Sequence, residues 1–185
     1  YDSRSNFDRA LADYGEAIKL GSRSAAIYGR RGRIRDNKGE SDLAIVDYSE
    51  AIKLDPMDVE IYTSRGFLYL NKNNFDLAIA DLNQALRLGP RFSAAFNTRG
   101  LAYNAKGDYD RAIADFDEAI RLSPRSASAY NNRGFAYSAK GDFDRALADL
   151  SQAITINPRY ANAYVRRGLA YSAKDDPDHA IADYT

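Results

Sequence analysis

Residues 127–160 read ASAYNNRGFAYSAKGDFDRALADLSQAITINPRY, and residues 93–126 read SAAFNTRGLAYNAKGDYDRAIADFDEAIRLSPRS. The two align without a gap, and Pro56, Pro90, Pro124 and Pro158 mark the same 34-residue interval along most of the chain. A period of this length belongs to repeat architectures, and it overrides the usual inference from 185 residues to one or two globular domains. In this frame the chain is a single array of four full repeats, 25–58, 59–92, 93–126 and 127–160, with partial repeats at 1–24 and 161–185.

Each repeat reads as two helices. Its fourth place is aromatic (Tyr28, Tyr62, Phe96, Tyr130, Tyr164), its eighth is Gly (Gly32, Gly66, Gly100, Gly134, Gly168), and its eleventh is Tyr in all but the first, where Arg35 stands. Spacings of four and three place these on one helical face. Further on, Ala holds the twentieth and twenty-seventh places, and Tyr, Phe or Leu holds the twenty-fourth. Phe143, Ala146, Leu147, Leu150, Ala153 and Ile154 show the resulting apolar stripe of a second helix. Between the stripes Lys140-Gly141-Asp142 supplies a residue for the left-handed turn and an acidic cap. Gly39, Gly107 and Asn73 hold the turn position elsewhere. Pro177 falls where a helix tolerates proline, in its first turn, and Pro158 and its equivalents stop the second helix.

Gly inside a helix costs about 1 kcal/mol relative to Ala, so five successive helical glycines imply close backbone approach. The twentieth-place Ala of the paired helix is the expected neighbour.

The arrangement Tyr130, Gly134, Tyr137, Ala146, Leu150, Ala153, Pro158 resembles the tetratricopeptide repeat along the whole chain. That resemblance implies an all-α fold, a right-handed superhelical solenoid of antiparallel helix pairs. It also implies a role in binding other proteins. One departure is systematic: Arg31, Arg65, Arg99, Arg133 and Arg167 stand where the family usually has Leu before the Gly. The twenty-third place is always Asp, as in Asp81 and Asp115, which predicts a ladder of ion pairs. The spacing allows Arg99 to meet Asp115 in its own repeat or Asp81 in the one before.

In the family, first helices line a concave groove, and the corresponding places here hold Arg30, Arg33, Phe67, Asn97, Leu101, Asn104, Asn131, Asn132, Phe135, Arg166 and Leu169. The amides are expected to pair with a peptide backbone, and the stripe Phe67, Leu101, Phe135, Leu169 to touch its side chains. The same stripe is also what partial cover by a following repeat would produce. The family's carboxylate clamp, with Lys at the fifth place, is not matched, since Gly29, Thr63, Asn97, Asn131 and Val165 stand there.

Composition bounds the rest. Lys plus Arg and Asp plus Glu number 26 each, so no overall positive field draws the chain to nucleic acid or an anionic membrane. With no Cys and one His, neither a thiolate nor a multi-His metal site can be assembled within it, and no phosphate-binding Gly-rich loop is present. His179 is expected at the surface. The reading is therefore a non-enzymatic scaffold that takes protein or peptide partners, needs no cofactor, and does not insert in a membrane. The alternatives are a regulatory or substrate-docking segment of a larger enzyme, and an array that self-assembles. Both ends fall inside a helix pair, so a segment of a longer array is expected, with terminal half-repeats open to stacking on other copies. Composition leaves the compartment open, with the cytoplasm favoured.

Overall fold

The repeating proline acts on the residue before it. Its ring disfavours α geometry one residue upstream, and Asp55 (φ −136°, ψ 96°) and Asn157 (φ −133°, ψ 91°) accordingly sit just outside helices that end at Leu54 and Ile156. In the computed structural model, which describes residues 3–185 and side chains from Asn6 onward, all regular structure is helical. Tyr1 and Asp2 of the leading partial repeat lie outside the described residues.

Contacts group the chain into two units, Tyr1–Pro90 and Arg91–Thr185. The first contains α1 (Ser3–Lys19), α2 (Ala25–Asn37), α3 (Ser41–Leu54), α4 (Val59–Asn71) and α5 (Phe75–Leu88). The second contains α6 (Ser93–Ala105), α7 (Tyr109–Leu122), α8 (Ala127–Ala139), α9 (Phe143–Ile156), α10 (Ala161–Ala173) and α11 (Pro177–Tyr184). In the first unit α2 packs most closely on α3 and α4 on α5; in the second the pairs are α6 with α7, α8 with α9, and α10 with α11.

The turn inside each pair follows from one left-handed residue. Gly107 and Gly141 adopt φ of 77° and 80°, and the next amide reaches back, Asp108 N–H to the Tyr103 carbonyl and Asp142 N–H to that of Tyr137. Asn73 and Asp175 take the same conformation, at φ 59° and 58°. The Asp108 and Asp142 carboxylates then accept from the amides of Arg111 and Arg145, capping α7 and α9. Glu40 and Asn74 occupy the same place without a side-chain cap.

Close approach at the helical glycines is present, but its partner differs from expectation. A Cβ on Gly100 would lie 2.6 Å from Phe116 Cε1, and one on Gly32 2.9 Å from the Tyr48 ring. At Gly66 and Gly134 the nearest atom is Cγ of Leu82 and of Leu150, both at 2.9 Å. The glycine therefore opens a socket for the large twenty-fourth-place side chain. The twentieth-place alanines contribute a backbone carbonyl beside it, Ala78 O at 3.3 Å and Ala146 O at 3.2 Å. Tyr48, Leu82, Phe116 and Leu150 are consequently buried, as are Ala44, Ala78, Ala112 and Ala146.

The arginine that replaces the family's Leu pairs inside its own repeat. Arg65, Arg99, Arg133 and Arg167 each grip Asp81, Asp115, Asp149 and Asp183 through two parallel bonds of 2.6–2.8 Å. Each guanidinium also lies near the ring of its fourth-place aromatic, Arg99 at 5.7 Å from Phe96 and Arg133 at 5.6 Å from Tyr130. A spare N–H reaches the second helix of the preceding repeat, from Arg65 to Ser49, Arg133 to Asp117 and Arg167 to Ser151. In the first full repeat Gly15 stands at that preceding place and offers no side chain. There Arg35 joins Arg31 on Asp47, whose carboxylate has no exposed surface. The bond to Asp115 raises the Arg99 guanidinium, while burial pushes the Asp115 carboxyl up against the pull of Arg99.

A second ladder runs between consecutive repeats. Lys38 meets Asp8 at 2.5 Å and Lys72 meets Asp42 at 2.8 Å in the first unit; Lys140 meets Asp110 and Lys174 meets Asp144 in the second. The aspartates are well exposed, so these are surface pairs that salt screens.

Candidate functional site

The residues expected to line a groove have unequal surroundings. In the first unit Arg30 is exposed, and Arg33 is exposed but paired with Glu60 at 3.2 Å. Gly29 is buried, because a Cβ there would meet Ile61 Cδ1 at 2.8 Å. Thr63 is buried too, its hydroxyl donating to the Val59 carbonyl. Phe67 projects from α4 with its side chain open.

In the second unit the asparagines depart from the expected role. Asn131 and Asn132 are 2% and 8% exposed. Asn132 donates to Asn97 Oδ1 at 3.2 Å, and Asn131 donates to Asn132 Oδ1 at 3.2 Å and to the Tyr160 hydroxyl at 3.4 Å. These N–H donations tie α6, α8 and the approach to α10 together, while Asn131 Oδ1 is buried without a hydrogen-bond partner. The physical reason is that neighbouring first helices bring these polar side chains within hydrogen-bond reach of one another, Asn132 of Asn97 and Asn131 of Tyr160. Asn97 and Asn104 are half-buried, and so is Leu101, which packs against the cluster around Phe116.

What stays open is apolar. Phe135 of α8 and Val165 and Leu169 of α10 are exposed. Together with Phe143, Ala170, Ser138, Asn162 and Arg166 they line a cavity of about 340 Å³. Arg166 closes one side: its guanidinium stands 4.5 Å over the Phe135 ring and donates to the Asn131 carbonyl at 3.2 Å. Burial pushes this guanidinium down from its ordinary value. Val165 stands at a groove place of its repeat, whereas Phe143 stands at none. Phe143 belongs by sequence to the apolar stripe of a second helix, and at the start of α9 it is half-buried and lines the cavity.

His179 is exposed, stacked 4.9 Å from the Tyr171 ring and held by the Asp176 carboxylate. Among the described residues no group of three His, Asp or Glu side chains could hold a metal ion, and no helix is long and apolar enough to cross a membrane.

The repeat pattern finds its counterpart in family profiles. A profile described as TPR repeat matches residues 32–73 and 100–141, and two described as tetratricopeptide repeat match 127–160, and 59–91 with 161–185. No curated protein matches. Of solved structures, that of MamA protein is 30% identical with a TM-score of 0.75, covering 86% of this chain and 87% of that one. A tetratricopeptide repeat protein from Parabacteroides merdae is 26% identical with a TM-score of 0.76, covering 98% and 71%. YrrB, described as a TPR protein with an unusual peptide-binding site, is 22% identical with a TM-score of 0.72, covering 92% and 88%, and its likeness is one of fold.

Proposed function

The chain belongs to the tetratricopeptide repeat family, whose repeats make it a protein–protein interaction scaffold, and from that premise we propose that the face of α8 and α10 binds a peptide segment of a partner protein. The observation that carries the proposal is the open cavity of about 340 Å³ between Phe135, Phe143, Val165 and Leu169. A soluble surface seldom leaves aromatic and branched apolar side chains converging on one concave space, and such a space is the usual form of a binding site. Nothing in the surroundings calls for a reacting group: the site holds one cation, two polar side chains and apolar walls.

Peptide selection from a displayed random library, followed by anisotropy titration of a selected peptide, tests this reading. The double variant Phe135→Ser/Leu169→Ser should bind at least tenfold more weakly, since a buried aromatic or aliphatic anchor is commonly worth about 2 kcal/mol. Both positions are exposed, so helicity should be retained. Leu77→Ser, at an exposed apolar position on α5, serves as the control. Equal binding by the double variant and the control would refute the proposed site.

A further inference from the structure

The arginines of the ladder each hold a carboxylate; Arg166 does not. Among the described residues its one protein hydrogen bond is to the Asn131 carbonyl, and no Asp or Glu side chain pairs with it. Even so, its guanidinium is half-buried beside the cavity, flat over Phe135. A guanidinium taken partly out of water without a counter-charge is costly. Its N–H fork matches a carboxylate. We infer that the peptide bound between α8 and α10 carries an apolar side chain that fills the Phe135–Leu169 cavity and, close to it in sequence, an Asp or Glu whose carboxylate pairs with Arg166.

This inference rests on the peptide-binding reading above and names the chemistry of its ligand. Geometry sets the spacing. Arg166 lines the same cavity as Phe135, Val165 and Leu169. Successive side chains on one face of an extended peptide lie about 7 Å apart, so the acid belongs within about two residues of the apolar anchor. The chemistry also favours a side-chain carboxylate over a chain terminus. A terminal carboxylate is held by several donors at once, and here the neighbouring Asn131 and Asn132 side chains already donate N–H groups to Asn132, Tyr160 and Asn97. One cation suits one side chain of a peptide that passes through.

The test uses the full chain as bait for a random-peptide library, then synthetic versions of a selected peptide. Asp or Glu should be enriched within two residues of a large apolar residue, and changing that acid to its amide should weaken binding roughly tenfold to a hundredfold. Arg166→Gln retains a donor for the Asn131 carbonyl and removes the charge. It should bind the acidic peptide and its amide form equally, and added salt should no longer weaken binding. Amidation of the peptide C-terminus should change nothing. Selected peptides that lack the acid yet lose binding in Phe135→Ser/Leu169→Ser would overturn the acidic requirement and leave the groove reading in place. Dependence on the free C-terminus instead of the acid would likewise overturn it. Peptides indifferent to the Phe135 and Leu169 changes, or no selected peptide at all, would defeat both.

Discussion

Gly100→Ala adds one methyl group to a helix and should nonetheless destabilise the second unit. The new Cβ would lie 2.6 Å from Phe116 Cε1, 2.9 Å from Cδ1 and 3.0 Å from Cζ. Carbon atoms rest at about 3.5–4.0 Å, so the ring must retreat by about 1 Å. Phe116 has no exposed surface and lies in one cluster with Ala112 and Ala136, so its retreat displaces packed neighbours. Overpacking of this kind costs about 1–3 kcal/mol, while Ala regains about 1 kcal/mol of helix propensity. The net should be a loss of about 1 kcal/mol. Gly15→Ala isolates the favourable part: nothing lies within 4 Å of a Cβ there, so the change should stabilise α1 by up to about 1 kcal/mol. Gly168→Ala falls between, because the ring it meets belongs to Tyr184, which is half exposed and can swing outward. Urea unfolding followed by circular dichroism gives the totals. Native-state hydrogen exchange in α6 and α7 localises the loss, which matters because repeat arrays unfold in parts. If Gly100→Ala proved as stabilising as Gly15→Ala, the socket for Phe116 would not be what keeps glycine at this place.

Two further outcomes follow from the ion pairs. Asp47→Asn strands Arg31 and Arg35, whose side chains are 15% and 20% exposed, beside a site with no access to water, and should cost about 3–5 kcal/mol as read by exchange protection in α2 and α3. A loss below about 1 kcal/mol would show that the pair is effectively solvated. Lys140→Ala breaks the outer contact with Asp110, whose side chain is 82% exposed, and should shift urea stability by under about 1 kcal/mol, with the difference vanishing in high salt. A larger, salt-resistant loss would mean that this ladder couples α7 to α8 by more than surface charge.

The candidate site was only partly legible beforehand. Phe135 and Leu169 were placed on an accessible face by the family resemblance, and both are open. Asn131 and Asn132 sit at equally valid groove positions by the same resemblance, yet they are buried. Spacing fixes the direction of a side chain from its own helix; it carries no information about how near the next helix comes. The Lys–Asp ladder went unnoticed for a related reason. Lys38 and Asp8, or Lys140 and Asp110, are 30 residues apart and belong to different repeats, so neither residue is conspicuous within one.

By itself the sequence determined the helices, their turns and their pairing. These depend on local causes: the steric demand of proline on its predecessor, the left-handed tolerance of Gly, Asn and Asp, and the 3.6-residue rhythm of apolar side chains. Tertiary structure alone decided that the Phe116 ring lies nearest Gly100, that Arg99 takes Asp115, and that Arg166 is left beside an apolar cavity without a carboxylate. Those outcomes turn on differences of an ångström or two between packed helices. A repeating pattern of residue types cannot encode them at one repeat in particular, because the same letters recur wherever the packing differs.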